Sequence, residues 1–588
     1  MQKRWKVAEP ASAMSSEHFP NLHPVATRLF ANRGITDPLE AEAFLNPAWE
    51  TGTHDPFLFS RMREAVSRVL EAVAIGERIA VHGDYDADGV TGTAVVLGAL
   101  REVATRSGKD PELVEWYIPH RNDEGYGLHH ENVHQLKEHG VTLLITVDCG
   151  IASVEEIALA RSHGMDVVVL DHHAFGETLP DAILVHPRLP GETYPFGELA
   201  AVGVAWKFAA ALVTVAREQG IAVPEGWEKW LLDLVSIATV TDMVRVLGEN
   251  RVLLKYGLIV LNKTRREGLK RLVLAAGRSF GALDTETVGY VLGPRINAAG
   301  RMDHASLALR LMLAETADEA VGLASELEAL NRARQQATER MMREAEGMLS
   351  DVERHRAVVV WHPEWPPSLV GLVAGKLMDR TGKPCLAIGK NAGAWIGSGR
   401  STASFDITES VRRAGEGILT RSGGHVQACG FSLDAEGDIS TFAERFLADA
   451  DAHLTDEDVI PLLDVEAVLS LEDIDWKLIE TLQAFEPFGI GNPKPHFATH
   501  GAEVEEAALV GQSGNHVRCV LRSPDGARQK FIGFKMGSRL ADLAVGKRVD
   551  VVYDVGVNTW NGRTEIQCSL VDVREAGSSV SVFKKFAS

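Results

Sequence analysis

The chain contains 588 residues, of which 45% are hydrophobic and 24% are charged, a balance typical of globular proteins in water. This length predicts about four domains. The formal net charge of −21 argues against a protein that coats nucleic acid nonspecifically, because an acidic chain repels polyphosphate, although it allows a local basic groove.

Cysteine usage and hydropathy indicate the cellular setting. The five cysteines are scattered and form no CxxC pair, which favours a reduced, cytoplasmic environment. The first residues lack an apolar segment, and no run of 18 apolar residues occurs. We therefore expect neither a signal peptide nor a membrane span.

The first part of the chain reads as a lead-in. Residues 1 to about 50 carry five prolines among short helical stretches, and we expect them to pack onto the main body. An amphipathic helix from Arg61 to Ile75 then precedes the first predicted strand, which runs from Arg78 to His82.

An acidic stretch follows that strand. Asp84, Asp86 and Asp88 occupy alternate positions, so an extended backbone would project all three carboxylates from one face. Such crowded charges need a cation, and a divalent metal is the best candidate. The alternative is a solvated acidic turn. A helix predicted to begin near Thr91 aims its amino end at the same place, which favours a phosphate there.

Two later apolar runs also end in residues that bind metals. Thr142 to Gly150 ends at Asp148, and the run from Asp166 ends at Asp171, His172 and His173. Parallel strands joined by helices place their carboxyl ends on one sheet edge, where open α/β sheets bind ligands. Mixed oxygen and nitrogen donors favour Mn, Mg, Zn or Fe over Ca, and they suit a two-metal hydrolase.

These motifs resemble a known family. Asp171-His172-His173 matches the signature of the DHH phosphoesterases, and Gly83 to Gly89 matches their first motif. Gly423-Gly424-His425, followed by Ala428 and Gly430, resembles the motif of the accessory DHHA1 domain. The resemblance runs from about residue 50 to about 575 and is closest to the single-strand-specific 5′-to-3′ exonucleases of the family.

The resemblance implies an α/β fold with a parallel-sheet DHH domain, a long connector helix, an α/β DHHA1 domain and a C-terminal OB-fold β-barrel. Helical spacing of Leu323, Leu327 and Leu330 supports the connector, and short strands with turn signals support the barrel. The expected limits are a lead-in (1–50), DHH domain (51–315), connector (316–352), DHHA1 domain (353–452), OB domain (453–576) and flexible tail (577–588).

The resemblance also implies the metal ligands of two Mn²⁺ or Mg²⁺ ions, which are Asp84, Asp86, Asp88, Asp148, His172 and Asp242. His173 would act near the scissile phosphate, and Asp171 would orient the imidazoles. From the residues alone, Asp242 reads as a helix-terminal residue. His82, which some DHH relatives use, stays open, and Cys149 is a buried filler rather than a nucleophile.

The next predicted strand runs from Val114 to Ile118. The resemblance implies that two residues in the segment after it contact the DNA. Arg121 would contact the 5′ phosphate, and Tyr126 would stack near the entering nucleotide. The alternatives are a surface charge for Arg121 and a packed turn residue for Tyr126.

Further phosphate-binding candidates lie in segments read as loops. Gly293 to Arg301 combines Arg295, Asn297 and Arg301 with glycines, and guanidinium forks bind phosphate in a bidentate manner. The alternative is an arginine pair that ties loops to carboxylates such as Asp303.

A second predicted anion cradle is the turn Gly397-Ser398-Gly399-Arg400-Ser401, which His425 would complete opposite the metals; the alternative is a structural histidine. Trp560 lies at a hairpin tip, where it would meet a base or pack in the core. The candidate residues of this cradle and tip are Ser398, Arg400, Ser401, His425 and Trp560.

The expected function is metal-dependent 5′-to-3′ hydrolysis of single-stranded DNA with a 5′ phosphate, which releases 5′ mononucleotides. The family implies a role in recombination and DNA repair, with a single-strand-binding protein and a helicase as partners. One alternative is a DHH phosphodiesterase for short oligonucleotides or cyclic dinucleotides. The other is a DNA-binding replication scaffold, although every ligand position is filled in this chain.

Overall fold

The computed structural model describes residues 3–9, 14–349, 353–391, 393–434, 437–511, 514–560 and 562–577. The predicted tail after Gly577 and the side chain of Trp560 lie outside this description. Short 3₁₀ turns occur at Ser16–His18, Pro56–Leu58, Pro111–Leu113, Trp227–Leu231, Leu471–Asp473 and Gly537–Leu543. Within the described parts, no helix is both long and apolar enough to cross a membrane.

The described residues of the lead-in include a strand and several helices. These are β1 (Arg4–Val7), α1 (Ala26–Asn32), α2 (Pro38–Leu45) and α3 (Trp49–Gly52). Asp37 begins α2 because its carboxylate accepts hydrogen bonds from the N–H groups of Leu39 and Glu40, as expected of an N-cap.

The first lobe, residues 54–315, is built on five parallel strands in the order β3-β2-β4-β5-β6. Its apolar strands are covered by helices on both faces, as parallel sheets require. In chain order the elements are α4 (Met62–Ile75), β2 (Arg78–Gly83), α5 (Ala87–Arg106), β3 (Val114–Tyr117), α6 (His130–Glu138), β4 (Val141–Val147), α7 (Val154–Ser162), β5 (Asp166–Leu170) and β6 (Ile183–Val185).

The first lobe continues as a helical layer. It comprises α8 (Ala201–Glu218), α9 (Leu232–Thr241), α10 (Gly248–Leu261), α11 (Glu267–Ala275), α12 (Thr285–Thr287), a π-helical turn (Val288–Leu292), α13 (Gly293–Met302) and α14 (Ser306–Leu313). One apolar core joins this layer to the sheet. The predicted loop from Gly293 to Arg301 is wrong, because these residues form α13 with Pro294 in its first turn, where proline is tolerated.

The connector α15 (Ala317–Gly347) is a continuous helix, as the apolar spacing predicted. It leads to the second lobe, residues 353–453, whose sheet has the order β10-β11-β9-β8-β7. The elements are β7 (Val358–Trp361), α16 (Pro367–Thr381), β8 (Cys385–Asn391), β9 (Ala394–Arg400), α17 (Ile407–Ala414), β10 (Leu419–His425), β11 (Ala428–Leu433) and α18 (Gly437–His453). The predicted Gly-Ser-Gly turn is wrong, since residues 397–400 belong to β9.

The third body, residues 462–577, is a closed barrel. Its elements are β12 (Leu462–Val465), β13 (Ala467–Val468), α19 (Trp476–Phe485), β14 (Phe497–Val510), β15 (His516–Arg522), β16 (Arg528–Gly533), β17 (Arg548–Trp560) and β18 (Arg563–Glu575). The barrel closes because β14 pairs with both β15 and β17, while β16 pairs with β18. The predicted combination of parallel sheet, connector, α/β lobe and barrel is confirmed.

The lead-in packs on the barrel. Strand β1 pairs in parallel with β12, and the rings of Phe30 and Phe485 lie 4.8 Å apart in a shared apolar core. The Arg33 guanidinium forms an ion pair of 2.7 Å with Glu466. The first residues of the chain are therefore structurally part of the third body.

Candidate metal centre

Three strand ends bring the predicted ligands to one edge of the first sheet. Strands β2, β4 and β5 are neighbours, and their last residues are Gly83, Val147 and Leu170. The N–H of Asp84 donates to the carbonyl of Val147, and the N–H of Asp148 donates to that of Leu170. The carboxyl ends of parallel strands therefore meet as predicted.

The acidic stretch is not extended throughout, contrary to the prediction. The chain leaves β2 at Gly83, and Asp86 is the N-cap of α5, which begins at Ala87 instead of near Thr91. The Asp86 carboxylate accepts hydrogen bonds from the N–H groups of Asp88 and Gly89. A Cβ atom at Gly89 would lie 2.5 Å from the backbone of Asp84, so this sharp reversal requires glycine.

Asp88 lies in the first turn of α5 and faces another helix. Its two carboxylate oxygens each accept a 2.8 Å hydrogen bond, from the N–H groups of Ala201 and Val202 at the start of α8. Burial and the charge of Asp86 raise the pKa of Asp88 to about 7, although these two hydrogen bonds oppose the rise.

We define the metal centre as the residues whose donor atoms lie within 4.8 Å of one another in three overlapping groups. The groups are Asp84, Asp86 and Asp148; Asp88, His172 and Asp242; and Asp148, His172 and His173. The structure thus brings together the six residues predicted as ligands, and it adds His173. Asp242 enters from the end of α9.

Several donor atoms of the metal centre are buried without a hydrogen-bond partner. They are Asp84 Oδ1, Asp148 Oδ1, His172 Nε2 and Asp242 Oδ2. His172 Nε2 lies 3.5 Å from Asp148 Oδ1 and 3.7 Å from Asp242 Oδ2, which is longer than a normal hydrogen bond. The lone pairs of these oxygen and nitrogen atoms are directed at common positions and accept no hydrogen bond from the described residues. The donor atoms therefore suit divalent cations.

The shifted pKa values of the metal-centre residues also indicate a cation site. Burial and neighbouring carboxylates raise the pKa of Asp242 to about 9 and hold the pKa values of Asp84 and Asp148 well above their usual range. Burial also lowers the pKa of His172 to about 3, which keeps its ring neutral and able to bind a metal. A cation would compensate the buried carboxylate charge.

Asp171 holds both histidines in place. Its Oδ1 accepts hydrogen bonds from the N–H groups of His172 and His173 and lies 2.9 Å from Nδ1 of His173. Burial disfavours the Asp171 carboxylate, but the His173 contacts lower its pKa to about 2. Burial similarly disfavours the charged His173 ring, whereas its Asp171 hydrogen bond and nearby carboxylates raise its pKa overall.

Sequence reasoning missed two residues that hold the histidine backbone. The Nε2 atom of buried His186 lies 2.8 Å from the carbonyl oxygen of His173, and the Arg188 guanidinium donates to the carbonyl of His172. The run Ile183 to Val185 ends beside them, but an isolated histidine after a short strand gives no sequence signal of this role.

Tyr126 reaches into the metal centre. Its hydroxyl donates to the carbonyl of Asp148 at 2.9 Å and lies 3.2 Å from Nδ1 of His173, while the residue is 48% exposed. Asp148 has a φ of 63°, which is unusual for a residue other than glycine. Tyr126 therefore helps to fix the backbone of Asp148, and its ring remains accessible.

His82 and Cys149 lie behind the metal centre. His82 is fully buried, its ring stacks on Tyr117, and its Nδ1 lies 3.6 Å from the Cys149 sulfur. Within the described residues, the close groups of donor atoms do not include His82. Burial raises the pKa of the Cys149 thiol, which suits a packed residue rather than a nucleophile.

An arginine cluster adjoins the metal centre. We define it as Arg121, Arg301, Arg334 and Arg400, which come from the loop after β3, from α13, from α15 and from β9. Within the described residues, none of them has a carboxylate oxygen within the 4.0 Å limit of an ion pair. Burial and the other three guanidinium groups lower the pKa of Arg301 to about 9. Clustered guanidinium groups without carboxylates indicate an anion site.

Neighbouring polar groups orient the cluster. Arg301 donates to the carbonyl of Ser368 at 2.7 Å, and Arg400 donates to the Ser398 hydroxyl at 2.9 Å. The Arg121 guanidinium lies over the Tyr85 ring, 4.5 Å from its centroid. Arg334, on the connector, was not predicted, because an arginine on a charged helix face is normally solvated.

The other predicted phosphate-binding residues are placed differently. Arg295 forms a 2.7 Å ion pair with Glu328 of α15, and Asn297 accepts a hydrogen bond from the N–H of Ala87. The buried Ser401 hydroxyl donates to the carbonyl of Phe405. His425 ends the exposed edge strand β10. Their prediction as DNA contacts remains open, and the placement of Arg295 and Ser401 favours structural roles.

A groove of about 560 Å³ runs from Asn297 and Arg301 to the third body. It is lined by apolar side chains that are unusually exposed, namely Tyr290 at 82%, Met243 at 65% and Ile490 at 46%. Arg301 and Arg334 add positive charge to its walls, whereas Lys494 lies 3.5 Å from the Glu286 carboxylate in the same groove. Solvent-exposed apolar groups beside cations are typical of nucleic-acid grooves.

Three family models match the chain. They are the DHH family N-terminal domain at residues 78–239, the DHHA1 domain at residues 355–451 and the RecJ OB domain at residues 465–572. The chain is also 37% identical to the single-stranded-DNA-specific exonuclease RecJ of Bacillus subtilis, over 97% of this chain and 70% of that protein.

Solved structures give the same result. The crystal structure of Thermus thermophilus RecJ in complex with Mn²⁺ matches with a TM-score of 0.81 and 30% identity, over 99% of this chain and 81% of that one. Its complex with Mg²⁺ matches with a TM-score of 0.74 and 29% identity, over 98% and 79% of the two chains.

Proposed function

Because the chain belongs to the RecJ family of single-stranded-DNA-specific exonucleases, we propose that it degrades single-stranded DNA from the 5′ end and releases 5′ mononucleotides. One observation carries this proposal. Among the described residues, Asp84 Oδ1, Asp148 Oδ1, His172 Nε2 and Asp242 Oδ2 have no hydrogen-bond partner, and the arginine cluster beside them has no carboxylate partner. Such a cleft suits a phosphodiester and cations together.

We assign two divalent cations, Mn²⁺ or Mg²⁺, to the metal centre. Asp84, Asp86 and Asp148 would hold one ion, and Asp88, His172 and Asp242 would hold the other. When bound, such ions lower the pKa of a water molecule and neutralise negative charge on the phosphate. The protein contributes a fixed set of ligands, because Asp171, Tyr126, His186 and Arg188 bind the ligand side chains or their backbone.

His173 is the proposed proton-bearing group at the scissile phosphate. Asp171 engages its Nδ1 at 2.9 Å, which leaves Nε2 as the atom available to substrate. Its raised pKa increases the protonated fraction near neutral pH, and a protonated imidazole can neutralise or protonate a phosphate oxygen.

The arginine cluster is the proposed pocket for the 5′ phosphate. A terminal phosphate carries more charge than a phosphodiester, so several guanidinium groups without carboxylates favour it. Arg121, Arg301 and Arg400, with the Ser398 hydroxyl, would bind the terminal group next to the metal centre. This arrangement would select the 5′ end of the strand.

The groove lined by Tyr290, Met243 and Ile490 is the proposed path of the strand. Unpaired bases expose faces that can stack on such side chains, whereas the bases of a duplex are already stacked and paired. Arg334, which belongs to both the cluster and the groove wall, would bind a backbone phosphate. A phosphodiesterase for dinucleotides has no need of a groove that extends from Asn297 and Arg301 to the third body. Assays with dinucleotides and with long single strands separate these two functions.

We further propose that the substrate comes from unwound duplex, so that a helicase and a single-strand-binding protein are partners in recombination and repair. The five cysteines are buried and unpaired, which supports the proposed cytoplasmic setting.

The decisive test is Asp148→Ala. We expect exonuclease activity with Mn²⁺ to fall more than about a thousandfold, because the lost charge stabilisation is worth several kcal/mol. Bound Mn²⁺, measured by electron paramagnetic resonance, should fall as well. Asp181→Ala is the matched control, since the Asp181 side chain is 87% exposed and forms a surface ion pair with Arg161. Retained activity in Asp148→Ala would refute the metal assignment.

A further inference from the structure

A turn of the third body, which precedes β14, contacts the loop that follows Asp242 of the metal centre. Asp242 ends α9, Met243 adopts a φ of 60°, and residues 244–247 lead into α10. The N–H of Val246 donates to the carbonyl of Ile490 at 2.7 Å. The turn formed by residues 486–493, which we name the docking turn, therefore fixes the backbone four residues after Asp242.

Two glycines allow this close approach. A Cβ atom at Gly489 would lie 2.6 Å from Cγ2 of Val246, which is 1% exposed, and one at Gly491 would lie 3.2 Å from Nε of Arg245. The first distance is shorter than real Cβ contacts, so any side chain at Gly489 must displace Val246. The fit between turn and loop is thus sensitive to a single methyl group.

The docking turn is itself rigid. The buried Asn492 side chain donates to the carbonyls of Phe485 and Pro487 at 2.8 and 2.9 Å, and it accepts a hydrogen bond from Arg33 of the lead-in. The N–H of Gly489 also donates to the carbonyl of Asn492. A turn that is bonded internally and from outside can impose its position on the loop.

A buried cation secures the helix that follows the loop. Arg251, in the first turns of α10, is 1% exposed and donates to the carbonyls of Phe44, Pro487 and Glu486. Within the described residues no carboxylate pairs with it, so its hydrogen bonds go to carbonyl groups of the lead-in and the docking turn. The loop that follows Asp242 is therefore anchored at Val246 and through the first turns of α10.

Asp242 depends on this support more than the other ligands do. Asp84 and Asp148 directly follow sheet strands, and the N–H of each donates to a neighbouring strand, whereas Asp242 is the C-cap of α9 and is followed by a loop. Among the described residues, Oδ2 of Asp242 has no hydrogen-bond partner, as is also true of Oδ1 of Asp84 and of Asp148, so backbone position decides where each carboxylate points.

We propose that the docking turn is a positioning element for Asp242, and that contact between Gly489 and Val246 sets the affinity of the cation site formed by Asp88, His172 and Asp242. The inference rests on the proposed metal role of Asp242. It means that the third body, though it supplies none of the proposed ligands, takes part in metal binding.

The test is a Mn²⁺ titration, by calorimetry and electron paramagnetic resonance, of full-length Gly489→Ala. Residues that orient metal ligands typically change affinity by 10- to 100-fold, so we expect one ion to bind about tenfold more weakly and the other to change less than twofold. Gly556→Ala is the matched control, because Gly556 has open space around its Cβ position. Val246→Ala in the Gly489→Ala background removes the clashing methyl groups and should restore the lost affinity.

The outcomes separate the two proposals. Unchanged affinity of both ions in folded Gly489→Ala overturns the positioning role, as does failure of Val246→Ala to restore a lost affinity. If Gly489→Ala does not fold, Val246→Ala alone takes its place, and it should weaken the same ion about threefold; no change overturns the inference. If Asp242→Asn leaves both affinities unchanged, the proposed metal role of Asp242 fails instead.

Discussion

The metal centre and the arginine cluster are neighbours, and each crowds charges of one sign, which are negative in the metal centre and positive in the cluster. The two groups are assembled differently. Most residues of the metal centre follow strands or begin a helix of the first lobe. The arginine cluster combines Arg121 and Arg301 of that lobe with Arg334 of the connector and Arg400 of the second lobe. The acidic group is thus built into one domain, whereas the basic group exists only when two lobes and the connector are correctly arranged.

This difference has a physical consequence. Crowded carboxylates destabilise the metal-free first lobe directly, since the sheet edge forces them together. Crowded guanidinium groups oppose the approach of the two lobes, so a bound phosphate would stabilise their contact. The affinity for metal ions should therefore depend on the structure of the first lobe. The affinity for phosphate should depend on how the first and second lobes are arranged.

The largest expected effect is on stability as a function of pH. A carboxyl group with a raised pKa in the folded state stabilises the fold below its unfolded pKa, and this contribution is lost as pH rises through the folded pKa. For Asp88 the window runs from 3.8 to about 7, which corresponds to roughly 4 kcal/mol; for Asp242 it runs to about 9.

The melting temperature of the metal-free protein should therefore fall between pH 5 and pH 9, and Mn²⁺ should reduce the fall. Thermal unfolding with EDTA or Mn²⁺ measures both effects. Asp242→Asn removes one titrating group, so its fall with pH should be shallower than that of the wild type. Equal slopes would show that Asp242 has an ordinary pKa.

The next effect tests the basic group. Arg301→Gln should reduce kcat/KM on 5′-phosphorylated single strands about a hundredfold, since hydrogen bonds to charged groups contribute about 1.5 to 3 kcal/mol. Mn²⁺ affinity should stay within twofold. Kinetics on strands with and without a 5′ phosphate measure the difference. An equal loss on both substrates would contradict the assignment of the terminal phosphate to this pocket.

The smallest expected effect is that of substituting Arg295, which has a carboxylate partner, unlike the residues of the arginine cluster. Arg295→Gln removes a partly buried ion pair with Glu328, so it should destabilise the protein by about 2 kcal/mol and leave KM unchanged. Chemical denaturation and steady-state kinetics, compared with Arg332→Gln at the exposed side of the same Glu328, test this. A raised KM without a stability loss would restore the predicted phosphate role of Arg295.

The sequence allowed the fold and the meeting of three strand ends to be predicted because local signals coincide there, whereas the place of Asp242 came only from the family resemblance. Apolar runs ending in Asp148 and Asp171 are both strand signals and ligand signals. The errors lie where tertiary contacts decide. Glycines in 293–301 and 397–401 suggested loops, but they allow close packing in a helix and in a strand; a Cβ atom at Gly397, for example, would lie 2.1 Å from the Phe431 ring.

Other features were invisible for a different reason. Arg334 and the docking turn acquire their roles from partners in distant parts of the chain, and no local pattern records such a pairing. The lead-in is a similar case, because Arg33 and Phe30 look ordinary until Glu466 and Phe485 are placed beside them.

The pairing of the lead-in with the third body has a consequence for biosynthesis. Arg33 bonds to Asn492, which lies 459 positions later in the chain. At translation rates of about 5 to 20 residues per second, the lead-in waits on the order of 20 to 90 s for its partner to leave the ribosome. We expect Phe30, which packs on Phe485 in the folded protein, to stay accessible during this interval. Chaperones that bind exposed apolar segments would then bind the nascent chain.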